Sequence, residues 1–203
     1  MPIIDDQLGR ILQALEESGQ RDNTIVVFTS DHGETLGDHG LVQKGCRFYE
    51  GLVRVPLIFS LPGHIEAGQR SDALVELSDK APTLLQLCGQ EIPEDMTGKS
   101  LAPILTGEVS PEHHRDFVRC EYYYALKARD GTLATMYRDR RYNSSFYHGR
   151  DYGELYDLQE DPDEFDNQWE NPAFANIRAD LIKRSFDTSV IAMDRGPRRI
   201  GGI

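Results

Sequence analysis

Residues Thr24 to Gly45, TIVVFTSDHGETLGDHGLVQKG, pass from an unbroken run of β-branched, apolar and aromatic side chains into two Asp-His pairs, four glycines and a lysine. Thr24 to Phe28 has the composition of a strand buried on both faces of a mostly parallel sheet. Asp31 and His32 fall just past the C-terminal end of that run, which in open α/β sheets is the crevice where ligands bind. The fold expected is therefore α/β, with chemistry at the end of this strand.

A carboxylate and an imidazole on adjacent residues of a rigidly held backbone can both ligate a divalent cation. Lys44, 12 residues beyond His32, carries an ammonium on a flexible stem that can return to the same crevice and meet an anion bound to the metal. Metal plus lysine points to an oxyanion substrate. Taken alone, an Asp-His pair is as easily a turn cap beside ordinary loop residues. The second pair, Asp38-His39, lies between Gly37 and Gly40. His39 is a candidate general acid or substrate hydrogen-bond donor, and the alternative is a glycine-rich loop that both side chains stabilise through the backbone. Lys44 and His39 are the catalytic candidates, Lys44 also the substrate-binding one, and Asp31 and His32 the metal ligands.

The stretch SDHGETLGDHGLVQKG, continued by YEGLVRVPLIF and LPGHIEAGQRSDALVELSDKAPTLLQLCG, closely resembles the C-terminal half of sulfatases, members of the alkaline phosphatase superfamily. The resemblance runs from the helix at Asp5 to about Leu105, and GELYDLQEDPDEFDN at Gly153 to Asn167 is similar to the family's C-terminal signature. It implies that Asp31 and His32 are two ligands of the catalytic cation and that Lys44 binds the sulfate group of a sulfate-ester small molecule. It also implies an alkaline-phosphatase-like sheet flanked by helices, then a small C-terminal antiparallel sheet packed with a helix. Calcium is the usual family cation, although an imidazole at position 32 suits manganese or zinc better on ligand softness.

One departure from the family is large. The sulfatase nucleophile is a formylglycine made from the Cys or Ser of a Cys/Ser-x-Pro/Ala-x-Arg motif, and the cysteine contexts here, CRFYE at Cys46, CGQEI at Cys88 and CEYYY at Cys120, do not match it. The expectation is that the formylglycine segment belongs to a missing N-terminal half, and that this chain alone is incomplete and inactive. A phosphonate monoester or phosphodiester hydrolase of the same superfamily would use a similar site, and a non-catalytic metal-binding domain would lack the nucleophile for another reason.

With 203 residues and 39% hydrophobic residues the chain can build a sizeable core. A net charge of −12 argues against nucleic acid or an anionic membrane as partner, since both select basic surfaces. A second copy of the chain or the missing half are the protein partners expected. An odd number of widely spaced cysteines suits free thiols in a reducing compartment, and MPIIDDQLGR has neither the basic start nor the apolar stretch of a signal peptide. A cytoplasmic location is expected, unless a signal is lost with the missing N-terminus.

Along the chain, Leu8, Ile11, Leu12 and Leu15 have helical spacing over Asp6 to Ser18, with Gly19 as a stop. Val53 to Ser60 reads as a strand carrying Pro56, which confines it to an edge, a bulge or a strand start. Arg54 is expected in a structural ion pair, perhaps with Glu50. Ser78 would cap a helix that tolerates Pro82 in its first turn. Thr97-Gly98-Lys99-Ser100 is no P-loop, because Pro93 stands where the first glycine would be; a surface loop before a short helix to Leu105 fits instead. Strands are expected at Phe117 to Tyr124, Leu133 to Arg138 and Leu155 to Leu158, divided by turns at Asp130-Gly131 and Asp161-Pro162. Tyr122, Tyr123, Tyr124, Tyr142, Phe146 and Tyr147 more readily pack against a helix than line a pocket, and Phe174, Ile177, Leu181 and Ile182 are spaced for that helix. The division expected is a sulfatase α/β segment over 1–107, a small α+β subdomain over 108–190 and a mobile tail over 191–203.

Overall fold

Helix α1, Pro2–Glu17, places Leu8, Leu12 and Leu15 half-buried on one face while Ile11 stays 58% exposed. It starts before the acidic turn expected as its first, because nothing in Ile3, Ile4 and Asp5 breaks a helix and proline is tolerated at its beginning. This structure, a computed structural model, describes residues 2–123 and 131–193.

Strand β1, Val26–Thr29, pairs antiparallel with β2, Leu57–Ser60, with Val26 opposite Ser60 and Thr29 opposite Leu57. Among the described residues β1 has this single antiparallel neighbour, and its side chains are half-buried where cover on both faces was expected. Pro56 sits immediately before β2, so its missing N–H costs no ladder bond. Residues Val53 to Pro56 are not strand: α2, Glu50–Val53, takes the first of them. The expected Arg54–Glu50 ion pair forms at 3.7 Å, and Glu50 also accepts from Arg138 Nε at 2.6 Å.

Helix α3, Lys80–Leu87, follows a 3₁₀ turn at Leu77–Asp79, with Pro82 in its first turn as expected. Its cap is not Ser78. Glu76 and Asp79 form a reciprocal capping box, in which the Glu76 N–H donates to Asp79 Oδ2 at 2.9 Å. The wholly buried Asp79 also accepts the Lys99 N–H at 2.7 Å and pairs with Arg115, which reaches Glu76 at 2.9 Å. Sequence reading preferred serine at the cap, but a carboxylate that collects several donors compensates its own burial. Gly98 explains the loop before α4, Ala102–Leu105: a Cβ there would lie 2.2 Å from the Ser78 carbonyl oxygen. The Gly-Lys-Ser tripeptide is a packing loop.

The C-terminal sheet is antiparallel in the order β3 (Val118–Tyr123), β4 (Leu133–Arg138), β5 (Tyr142–Tyr147), β6 (Gly153–Asp157). Strand β5 was not foreseen, because Asn143, Ser144 and Ser145 interrupt its apolar pattern. All three are buried, with Asn143 Nδ2 donating to the Phe48 carbonyl at 2.9 Å and Ser144 Oγ to the Glu154 carbonyl at 3.0 Å. One face of the sheet, with Ala134, Met136 and Tyr147, packs on Phe48; the other, with Tyr137, Phe146 and Leu155, packs on Leu181 of α5, Ala175–Ala192. Tyr122, Tyr142, Phe146 and Tyr147 are thus packing residues, while Tyr123 is 48% exposed. Tyr124 and Asp130 lie outside the described residues. So do residues 194–203 of the expected tail, whose first residues, Ile191 and Ala192, instead finish α5.

Glu164 ties the two parts together. Its carboxylate accepts the Glu50 N–H at 2.7 Å and Asn143 Nδ2 at 2.5 Å, and the residue, 2% exposed, is held at φ 60°. Burial pushes its carboxyl up to about 7, against the pull of these donors. The folded chain therefore retains a proton that the unfolded chain releases near its ordinary value. Stability should fall as pH rises through the window between roughly 4.5 and 7 and level off above it, by roughly 3 kcal/mol at most from this group. Urea titrations at pH 5 and 8 check this: the drop should shrink in Glu164→Ala, which is itself less stable at both values because the Glu50 N–H and Asn143 lose their acceptor.

Candidate functional site

The turn after β1 is organised by its own polar atoms. Ser30 Oγ donates to the His32 carbonyl at 2.7 Å, and the His32 N–H donates to Asp31 Oδ1 at 3.0 Å. His32 Nδ1 lies 2.7 Å from the Gly33 carbonyl oxygen, an acceptor, which assigns the ring proton to Nδ1 and leaves the Nε2 lone pair facing outward. Lys44 Nζ donates to that lone pair at 2.5 Å, and Asp31 Oδ2 stands 3.6 Å from the same nitrogen. The chain thus brings Asp31, His32 and Lys44 together across 12 residues. Asp31 is 86% exposed at its side chain. Its carboxyl is held below the usual range, with His32 the largest cause and Lys44 a smaller one.

Gly33 sets the geometry. Its N–H donates to the Leu52 carbonyl at 2.8 Å, and a Cβ on it would lie 1.9 Å from the Gly51 carbonyl oxygen. The backbone of α2 therefore runs directly against the Asp-His turn, an approach that glycine alone permits.

His39 belongs to a different cluster. The loop is built on left-handed backbone at Leu36, Gly37, His39 and Gly40, with φ of 50°, 112°, 53° and 70°. The imidazole stacks on Tyr49 at 3.8 Å between centroids and on Phe165 at 4.7 Å. Beyond Tyr49, the Glu154 carboxyl accepts from the Tyr147 hydroxyl at 3.2 Å and from the Tyr49 hydroxyl at 3.5 Å. Burial raises Glu154 above the ordinary carboxylate value, more than the tyrosines and Arg47 lower it. Glu154, Arg47 and Glu164 went unrecognised as site neighbours in the sequence: two lie inside a signature whose strand pattern accounts for them, and the third is one arginine of many.

Asp31, His32, Lys44 and Arg47 all line one open groove of about 1420 Å³, whose other walls include Leu74, Val118 and Met136. As a cation site, Asp31 Oδ2 and His32 Nε2 present an oxygen and an imidazole nitrogen at a separation that one metal can span. Among the described residues no third acidic, imidazole or thiol group joins them. The Lys44 ammonium already places positive charge on Nε2. The donor set fits a part of a divalent-cation shell.

Known proteins resemble the chain over nearly its whole length. Residues 37–190 match the family N-sulphoglucosamine sulphohydrolase, C-terminal. The chain is 35% identical over 207 residues to the N-acetylglucosamine-6-O-sulfatase of Bacteroides thetaiotaomicron, covering 96% of this chain and 35% of that protein. A solved protein in complex with its substrate D-glucosamine-2-N,6-O-disulfate superposes with a TM-score of 0.82 at 34% identity, over 96% of this chain and 40% of the other. The phosphonate monoester hydrolase of Agrobacterium radiobacter gives 0.83 at 32% identity, over 94% and 40%. The chain belongs to the sulfatase family of the alkaline phosphatase superfamily and corresponds to its C-terminal part. It spans between 21% and 42% of the length of the curated relatives compared with it.

A side chain at position 33 must push α2 away from the Asp-His turn. Gly33→Ala should destabilise the chain by about 2–4 kcal/mol, seen as a lower urea midpoint, whereas Gly9→Ala, with open space around it, should not.

Proposed function

We propose that this chain supplies the sulfate-holding lysine and part of the cation site of a sulfuric ester hydrolase. The observation that carries the reading is the convergence of Asp31, His32 and Lys44 on one nitrogen at the end of β1. Lys44 offers a fixed positive charge to the sulfate oxygens. Locally it offsets the repulsion that a chain of net charge −12 exerts on an anionic ester. The Nδ1–H bond to Gly33 fixes the imidazole tautomer, so that the Nε2 lone pair, which accepts from Lys44 here, would be open to a cation once the ammonium turns to the sulfate, beside the Asp31 carboxylate. When bound, a divalent cation supplies polarisation of the sulfate oxygens and neutralises charge that develops there. The sulfatase family works with such an ion, and calcium is our assignment, on the strength of the resemblance.

The nucleophile expected from the resemblance is a formylglycine carried by a separate segment, which this chain would meet as partner. His39 is assigned to hold the Gly37–Gly40 loop, since both its ring faces are covered, rather than to transfer a proton. The substrate class is a sulfated sugar, by analogy with the relatives above. The likeness to a phosphonate monoester hydrolase supports a second reading within the superfamily, because tetrahedral oxyanions suit the same lysine and cation.

In the catalytically complete enzyme, Lys44→Ala should lower kcat/KM for an aryl sulfate by about 10²–10³-fold, the loss typical of one electrostatic stabiliser. Measured beside a phosphonate monoester, wild-type rates separate the two readings: faster turnover of the phosphonate ester would move the assignment to the second.

The same geometry predicts weak metal binding by the 203-residue chain alone. Calorimetry with calcium and with manganese should give dissociation constants of about 1 mM or weaker, since protein donors fill so little of the shell. Tight stoichiometric binding that is lost in Asp31→Ala would show the half-site to be more complete than its donors indicate.

A further inference from the structure

The groove beside Lys44 is lined by more arginines than the sulfate reading uses, and most are already engaged. Arg54 and Arg138 pair with Glu50, Arg119 pairs with Glu121, and Arg140 donates to the Glu112 carbonyl. Arg47 and Arg70 are different: both line the groove, are exposed, and among the described residues make no ion pair and donate no hydrogen bond, and of the two it is Arg47 that lies beside Lys44 in the chain. Arg47 follows Lys44 by three positions, so the two Cα atoms are at most about 11 Å apart, and two long side chains can converge on substituents of a single sugar ring.

Its surroundings hold it without neutralising it. The Arg47 charge acts on Glu154, Tyr147 and Tyr49, which places the guanidinium beside that cluster. Glu154 is bound there by two tyrosine hydroxyls, which occupy its carboxylate oxygens. Arg47 therefore lines the groove with no carboxylate in ion-pair contact among the described residues, although the Glu154 charge is felt there. A planar guanidinium with several donors is suited to bidentate binding of a carboxylate or sulfate.

We propose that Arg47 is a specificity residue, which receives a second anionic group on the same ester whose sulfate Lys44 holds. This deepens the sulfatase reading and rests on it. The enzyme would prefer esters with two anionic substituents, such as a disulfated amino sugar or a sulfated uronate, over singly charged ones. Arg47 would act on recognition of the substrate and leave the charge at the reacting sulfate to Lys44.

The test compares binding of glucosamine 6-O-sulfate and glucosamine 2-N,6-O-disulfate to the 203-residue chain by NMR titration. The wild type should bind the disulfate about tenfold more tightly, the scale of one charge-assisted bidentate contact. Arg47→Ala should abolish that preference while keeping the affinity for the monosulfate, and Arg47→Lys should restore part of it. Lys44→Ala should weaken both ligands. A wild type that binds the two equally, or binds neither, overturns the proposal, as does an Arg47→Ala variant that loses affinity for both alike. If Arg47→Ala behaves as expected but Lys44→Ala changes nothing, the second-anion site stands and the sulfate role of Lys44 fails.

Discussion

The carboxylate of Glu164 is the contact on which the site depends. It binds the first N–H of α2 and the side chain of Asn143, which in turn donates to the carbonyl of Phe48. Residues on either side of this junction carry the functional geometry: Lys44 lies just before it, and the carbonyls of Gly51 and Leu52, against which Gly33 packs, just after. Remove the carboxylate and the segment from Phe48 to Leu52 loses its link to the C-terminal sheet. The sheet is thus the wall that locates the Asp-His turn, and the desolvation of its buried Asn143 and Glu164 is offset by the bonds of the Asn143 amide nitrogen and of both Glu164 oxygens, while Asn143 Oδ1 is left without a partner.

Electrostatics divide the groove in the same way. Where a carboxylate sits near an arginine, as at Glu50, Asp79 and Asp157, the pair is structural. Among the described residues that line the groove, Lys44, Arg47 and Arg70 make no ion pair, and the first two lie on the segment that Glu164 positions. In a chain this acidic, a cluster of positive charges outside any ion pair in one groove runs against the overall field, and anions are drawn to such places.

The site proper was legible in the sequence because it is local. A strand that ends on Asp-His, a glycine that must turn, and a lysine within loop reach are all visible in one window, and the structure brings Asp31, His32 and Lys44 together as that window implied. Helix α1, the Arg54–Glu50 pair, the packing role of the aromatic residues and the helix around Leu181 were legible for the same reason, since each follows from spacing or a neighbouring charge. What was not legible depends on partners far along the chain. Strand β5 is hidden by Asn143, Ser144 and Ser145, whose burial makes sense only beside Phe48 and Glu154. The cap at Glu76 and Asp79 outranks Ser78 because Arg115 and Lys99 reach it from outside the helix. The antiparallel pairing of β1 with β2 is likewise set by the course of the chain between them and not by the residues of either strand.

The bond from the Glu50 N–H to Glu164 spans 114 residues. During synthesis at about 5–20 residues per second, the segment that carries Lys44 leaves the ribosome roughly 6 to 23 seconds before its anchor does. For that interval the apolar face of Phe48 has no sheet to cover it, and closing so long a loop has to wait for the strands at its far end. A nascent chain of this protein therefore displays sticky surface for seconds, which makes the passage to Asn167 the part of translation in which chaperone binding matters most, and a pause before Glu164 the most costly place for one.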